Sequence, residues 1–162
     1  MKKLLAMSSL LLAFTAHAGT DSPEGMWQTI DDETGKPKSH VQIWIDEGEL
    51  KGKIVKLIDP EEENPVCTEC EGDKKDQPIV GMQFVWGLTE QDGVWDDGTI
   101  LDPASGSEYS SKIEVVDGGE KLDVRGYIGF SWAGRSQTWE RLEVPAEAAQ
   151  TEETVQVSTT AE

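Results

Sequence analysis

Apolar residues in the body of this chain recur at every second position. In "HVQIWID" Val41, Ile43 and Ile45 alternate with Gln42 and Asp46; "VGMQFVWGL" puts Val80, Met82, Phe84, Trp86 and Leu88 on one face; "KLDVRGYIGF" does the same for Leu122, Val124, Ile128 and Phe130. A period of two marks a strand with one buried face. Runs of this kind are expected near 25–30, 40–46, 50–58, 79–88, 98–102, 107–116, 121–130 and 135–143. Between them lies turn chemistry: Asp32 to Gly35, Glu47-Gly48, Asp92-Gly93, Asp97-Gly98, Asp102-Pro103 with Gly106, and Asp117-Gly118-Gly119. Seven of the 16 glycines are spent there, and no helical period of a dozen residues interrupts the pattern. The pattern predicts an all-β fold, an antiparallel up-and-down β-barrel of about eight strands, because closure removes the exposed edges an open meander would keep.

The two ends read differently. Residues 1–18, "MKKLLAMSSLLLAFTAHA", have the layout of a signal peptide: Lys2 and Lys3, an apolar run from Leu4 to Phe14, and Ala16-His17-Ala18 at the cleavage point. The run falls short of the ~20 residues that span a bilayer. Residues 19–24 are expected to be a flexible N-terminus, 25–144 the barrel domain, and 145–162 ("PAEAAQTEETVQVSTTAE") a disordered acidic tail with too little apolar area to offset the entropy of ordering it. The expectation is an exported protein, periplasmic or secreted, without integral membrane association. The net charge is −18, and −20 once Lys2 and Lys3 leave with the leader. Such a field opposes nucleic acid and anionic lipid, which are held through Lys and Arg.

Export changes the meaning of Cys67 and Cys70, the only cysteines, in "VCTECEGDKKDQPIVG". In an oxidising compartment the default is a disulfide, here a local staple ahead of the strand expected near Ile79. A redox centre wants a cysteine at a helix N-terminus in positive surroundings, whereas Glu69 and Glu71 flank Cys70. A structural zinc site wants four ligands, and His40 is the one histidine beyond the leader. No metal site and no cofactor is implied. His40 has no G-x-S-x-G partner, Asp31, Asp32 and Glu33 lack calcium-loop spacing, and catalysis leaves no recognisable signature.

The stretches "GMWQTIDDETGKPKSHVQIW", "GKIVKL", "NPVCTECEGDKKDQPIVGMQFVWGL", "GTILDPASGSEYSSKIEV" and "LDVRGYIGFSWAGRSQTWER" resemble, from Gly25 to Arg141, the bacterial secreted family catalogued as domain of unknown function twenty-one forty-seven. The resemblance implies a lipocalin-like calyx and no particular activity. Within it, Trp27 and Arg141 are similar to the lipocalin pair in which an arginine covers a tryptophan at the closed end, a structural role.

Three functions compete on this reading. An eight-stranded barrel can hold one small ligand, which makes a carrier of an apolar or amphipathic molecule the first expectation. Its candidate contacts are Trp44, Phe84, Trp86, Tyr127, Phe130 and Trp132, with Arg125 or Arg135 as an anchor for an acidic head group. The second is a protein-interaction module with a barrel filled by its own side chains, favoured by an exposed aromatic patch near Trp132 or Trp95. The third is a periplasmic enzyme of unknown reaction, which would need buried carboxylates converging in a cleft.

Overall fold

The computed structural model describes residues 21–143. The expected signal peptide and acidic tail lie outside the described residues. Eight strands follow in order: β1 (Gly25–Ile30), β2 (Pro37–Asp46), β3 (Glu49–Leu57), β4 (Gln83–Gln91), β5 (Val94–Asp102), β6 (Ser107–Val116), β7 (Lys121–Tyr127) and β8 (Arg135–Leu142). Each pairs antiparallel with its sequence neighbour, and β1 pairs with β8 through Met26↔Leu142, Trp27↔Arg141 and Gln28↔Glu140, closing the barrel.

The alternation places the core as the pattern requires. Trp27, Val41, Ile43, Leu50, Val85, Leu88, Ile113, Leu122 and Trp139 are all essentially inaccessible to solvent and fill the barrel axis. Phe84 lies against Trp139, ring centroids 5.9 Å apart. Two glycines make room for them: a Cβ on Gly98 would stand 2.5 Å from the Leu88 side chain, and one on Gly52 would stand 2.6 Å from Ile43 Cδ1.

Three parts of the expected pattern change. The turn expected at Asp97-Gly98 lies within β5, which already begins at Val94, because Asp97 at φ 64° forms a bulge and not a strand end. Val80, Met82, Phe84, Trp86 and Leu88 do not share one face. Leu50 pairs with Leu88 and Gly52 with Val85, so β4 spends one residue more than β3 over the same step. Gly87, at φ 75°, takes the conformation such a bulge demands. Val85 and Leu88 therefore both enter the core, and Val80 is exposed. Strand β7 also stops at Tyr127, so Ile128 and Phe130 leave the sheet and stand in solvent.

The turns at Glu47-Gly48, Asp92-Gly93 and Asp117–Gly119 lie at one end, which is sealed. Trp27 donates its indole N–H to the Pro23 carbonyl (2.9 Å), and the Arg141 guanidinium lies over the ring, 4.1 Å from its centroid. Arg141 also donates to the carbonyls of Ser22 (2.8 Å), Glu24 (3.0 Å) and Gly119. Burial weakens its hold on the proton and Glu120 opposes that effect. The segment expected to be loose at 19–24 is thus tied down from Ser22 to Glu24, because this guanidinium needs acceptors once it is removed from water.

The opposite, open end carries residues 31–36, 58–82, 103–106 and 128–134. In the 58–82 connection, Val66 bridges Pro78 and the Cys67 amide donates to Gln77. The Cys67–Cys70 disulfide, Cα atoms 5.4 Å apart, staples the tip of that ladder. Its sulfurs are buried, and Gly106 packs against the Glu69 carbonyl so closely that a Cβ has no room. The staple is therefore docked on the β5–β6 turn.

Replacing Arg141 by lysine keeps the charge but loses the planar fork that serves three carbonyls. We expect a loss of about 1–3 kcal/mol in urea unfolding, set by the carbonyls left unpaired. The same change at exposed Arg135 should stay within about 0.5 kcal/mol.

Candidate functional site

The sequence-predicted ligand contacts do not converge inside the barrel. Of the eight, Phe84 alone is in the core, where it is packing against Trp139. Trp44 and Trp86 stand on the outer wall, each under a lysine: Lys53 Nζ is 5.9 Å from the Trp44 centroid and Lys74 Nζ is 4.4 Å from that of Trp86. Trp44 alternates against the buried Val41 and Ile43, and the Gly87 bulge sets Trp86 outward beside Thr99.

The remaining five gather at the open end. Between β7 and β8 the chain makes a tight 3₁₀ turn at Ser131–Ala133. Arg125, on the outer face of β7, holds this turn: its Nε donates to the Ser131 carbonyl at 2.5 Å and its Nη1 to Ser136 Oγ at 2.8 Å. Gly134 lets the returning chain lie against Gly126, where a Cβ would stand 2.5 Å from the Gly126 carbonyl oxygen. The turn is thereby fixed with its apolar side chains outward. Ile128, Phe130 and Trp132 are 76%, 69% and 80% exposed, and the Phe130 and Trp132 rings are stacked, 6.1 Å apart and 16° from parallel. Singly exposed hydrophobic residues are ordinary, but three on one pinned turn form a patch.

Beside the patch, Arg135 Nη1 reaches Asp32 Oδ2 at 3.9 Å. Asp32, on the β1–β2 loop, also accepts from Gln137 Nε2 (2.9 Å), and Gln137 Oε1 accepts from the indole N–H of Trp139 (3.2 Å). A polar relay therefore runs from the rim to the core tryptophan between the β1–β2 loop and the adjacent β8. Sequence reasoning met Asp32 only as a turn residue and calcium candidate and missed its pairing with Gln137, because a contact between residues 105 positions apart has no local pattern. Tyr127 turns outward and donates to Asp96 Oδ1 (3.3 Å). Burial, followed by the charge of Asp96, pushes its phenol above the ordinary tyrosine value.

A family model described as "Uncharacterized protein conserved in bacteria (DUF2147)" matches residues 25–141. The chain belongs to this family. No curated protein matches it. Among solved structures it is similar to protein HP1028 of Helicobacter pylori, described as belonging to the lipocalin family. The likeness has a TM-score of 0.68 at 18% identity and covers 83% of this chain and 90% of that one, so it shows a shared lipocalin-like fold. The barrel, its closure and the disulfide of this DUF2147 chain agree with what its sequence led us to expect.

Because the Tyr127 pKa is raised, the folded state keeps its phenol proton beyond the pH at which the unfolded chain, near 10, gives it up. The stability this contributes is present below that pH and is lost as pH rises through the folded value. In an ultraviolet phenolate titration of native protein we expect one late-titrating tyrosine, absent from Tyr127→Phe; an unchanged profile in that variant would refute the assignment.

Proposed function

We propose that this protein is an exported, non-catalytic binding module that docks a protein partner through the Ile128, Phe130 and Trp132 turn at the open end of its barrel. The observation that carries this reading is the contrast between the two regions. The barrel axis is filled by Trp27, Trp139, Phe84 and aliphatic side chains, whereas the most exposed aromatic rings are held in place on a pinned rim turn. Rigid aromatic anchors lose little side-chain entropy on binding and dominate the energetics of protein interfaces. Arg135 beside them supplies the rim charge that orients a partner. The layout of residues 1–18 supports export to the periplasm or beyond. The lumenal carrier of an apolar ligand draws its support from the lipocalin-like fold, and a shared fold does not carry a function with it.

The test is photo-crosslinking in living cells, with the crosslinker at Trp132 and, as control, at Glu47 on the sealed end. A discrete adduct from position 132, missing from position 47 and abolished by Phe130→Ser, supports the proposal. Phe130→Ser should change stability by no more than about 0.5 kcal/mol, since the ring is on the surface. Equal adducts from both positions would reject the rim as the docking surface. Native mass spectrometry supplies the other arm. A stoichiometric apolar molecule that stays bound in the Phe130→Ser/Trp132→Ser variant would reinstate the carrier.

A further inference from the structure

A second feature lies on the outer wall, away from the rim patch. Trp44 pairs with Lys51 across β2 and β3. Lys51 lies between the pairs Leu50↔Leu88 and Gly52↔Val85, which places it opposite Trp86 and the Gly87 bulge. The outward row is therefore tryptophan, lysine, tryptophan over three adjacent strands, about 10 Å from first to last at the usual strand spacing. Over the Trp86 end the wall is hollowed into a groove of about 710 Å³ between β3, β4 and the connection that follows the disulfide.

The chemistry lining this groove is balanced. Two acids (Glu49 and Asp73), two lysines (Lys51 and Lys74) and two amides that both donate and accept (Gln77 and Gln83) line it, with Pro78, Val80 and Met82 as interspersed apolar surface. Lys51 is already neutralised by Asp46, Nζ to Oδ2 2.7 Å. A polyanion would meet two carboxylates here. A hydrocarbon chain would strip water from four charged side chains without pairing them. The ligand that suits this lining has no net charge, many hydroxyls that donate and accept, and a flat C–H face for an indole.

We propose that this groove binds a short, uncharged oligosaccharide, with Trp86 as the stacking surface, Gln77, Gln83, Asp73 and Lys74 as hydroxyl partners, and Trp44 extending the platform. Lys74 moves from above the Trp86 ring as a sugar ring takes its place. That cation contact is weak at an exposed site, a cost that a ligand readily offsets. The Cys67–Cys70 staple acts here as scaffold: Lys74 ends the 3₁₀ turn just beyond it, Lys75 donates to the Thr68 carbonyl, and the Gln77 carbonyl accepts from the Cys67 amide. The groove wall is thus built on the stapled loop.

The test uses protein labelled with 5-fluorotryptophan, whose six fluorine resonances are assigned by single replacement. The probes are tetrasaccharides of α-linked glucose, β-linked glucose, N-acetylglucosamine and mannose, with tetragalacturonate as the anionic comparison. At least one neutral probe should shift the Trp86 and Trp44 resonances and leave Trp132 unmoved, with Kd on the order of 1 mM. Trp86→Ala should weaken binding roughly tenfold, the equivalent of about 1.4 kcal/mol, while its other resonances show an intact fold. Gln83→Ala should weaken it as well, and Phe130→Ser should not. No shift at Trp86 with any neutral probe, preferential binding of tetragalacturonate, or equal affinity in Trp86→Ala would each overturn the proposal. None of these results bears on the rim turn, which is tested separately.

Discussion

Closure of β1 onto β8 is the constraint on which the rest of this molecule depends. The two strands come from opposite ends of the described chain, and bringing them together costs loop entropy that no local contact repays. Arg141 supplies much of the compensation at one point. Its guanidinium covers Trp27 and satisfies carbonyls from the segment before β1 and from the β6–β7 turn. A lysine ammonium has no plane to lay on an indole and no fork to span those carbonyls. Once that end is fixed, the other is free to carry long connections without loss of the barrel.

Volume sets the second constraint. A barrel of eight strands is just wide enough for its own side chains to fill or for one small ligand. Here the choice falls to the side chains, because three tryptophans (Trp27, Trp95 and Trp139) and Phe84 enter the core, and Gly52 and Gly98 admit Ile43 and Leu88 still deeper. On the reading proposed above, recognition is displaced outward as a result. The rim turn and the wall groove both present aromatic rings outside the barrel axis, Phe130 and Trp132 at the one and Trp86 at the other.

Much of this was legible in the sequence, and some that was legible was misread. Alternation and turn residues located all eight strands because period and punctuation are local properties. The outward setting of Trp44 was also written in the alternation, since it is out of phase with Val41 and Ile43, as Arg125 and Tyr127 are out of phase with Leu122 and Val124. Treating aromatic identity as a sign of the interior overrode that signal. Trp86 is different, because its direction depends on a bulge at Gly87 that shows only when β4 is measured against β3. The end of β7 was hidden for a related reason: "YIGF" continues the hydrophobic period, while Gly129 at φ 78° and the Arg125 contacts break the strand.

Net charge misleads in the same way as composition does. A total of −18 suggests a uniformly repulsive surface, yet salt screens charges beyond about 8–10 Å, so a ligand responds to the groups around it rather than to the sum. The β2–β3 hairpin carries Lys38, Lys51, Lys53 and Lys56 against Asp46, Glu47 and Glu49 and is close to neutral, while the excess of acid falls on the remaining surface, where it favours solubility. Charged partners are therefore discouraged over most of the molecule, while one face offers paired charges, amides and indole rings to a ligand that brings no charge of its own.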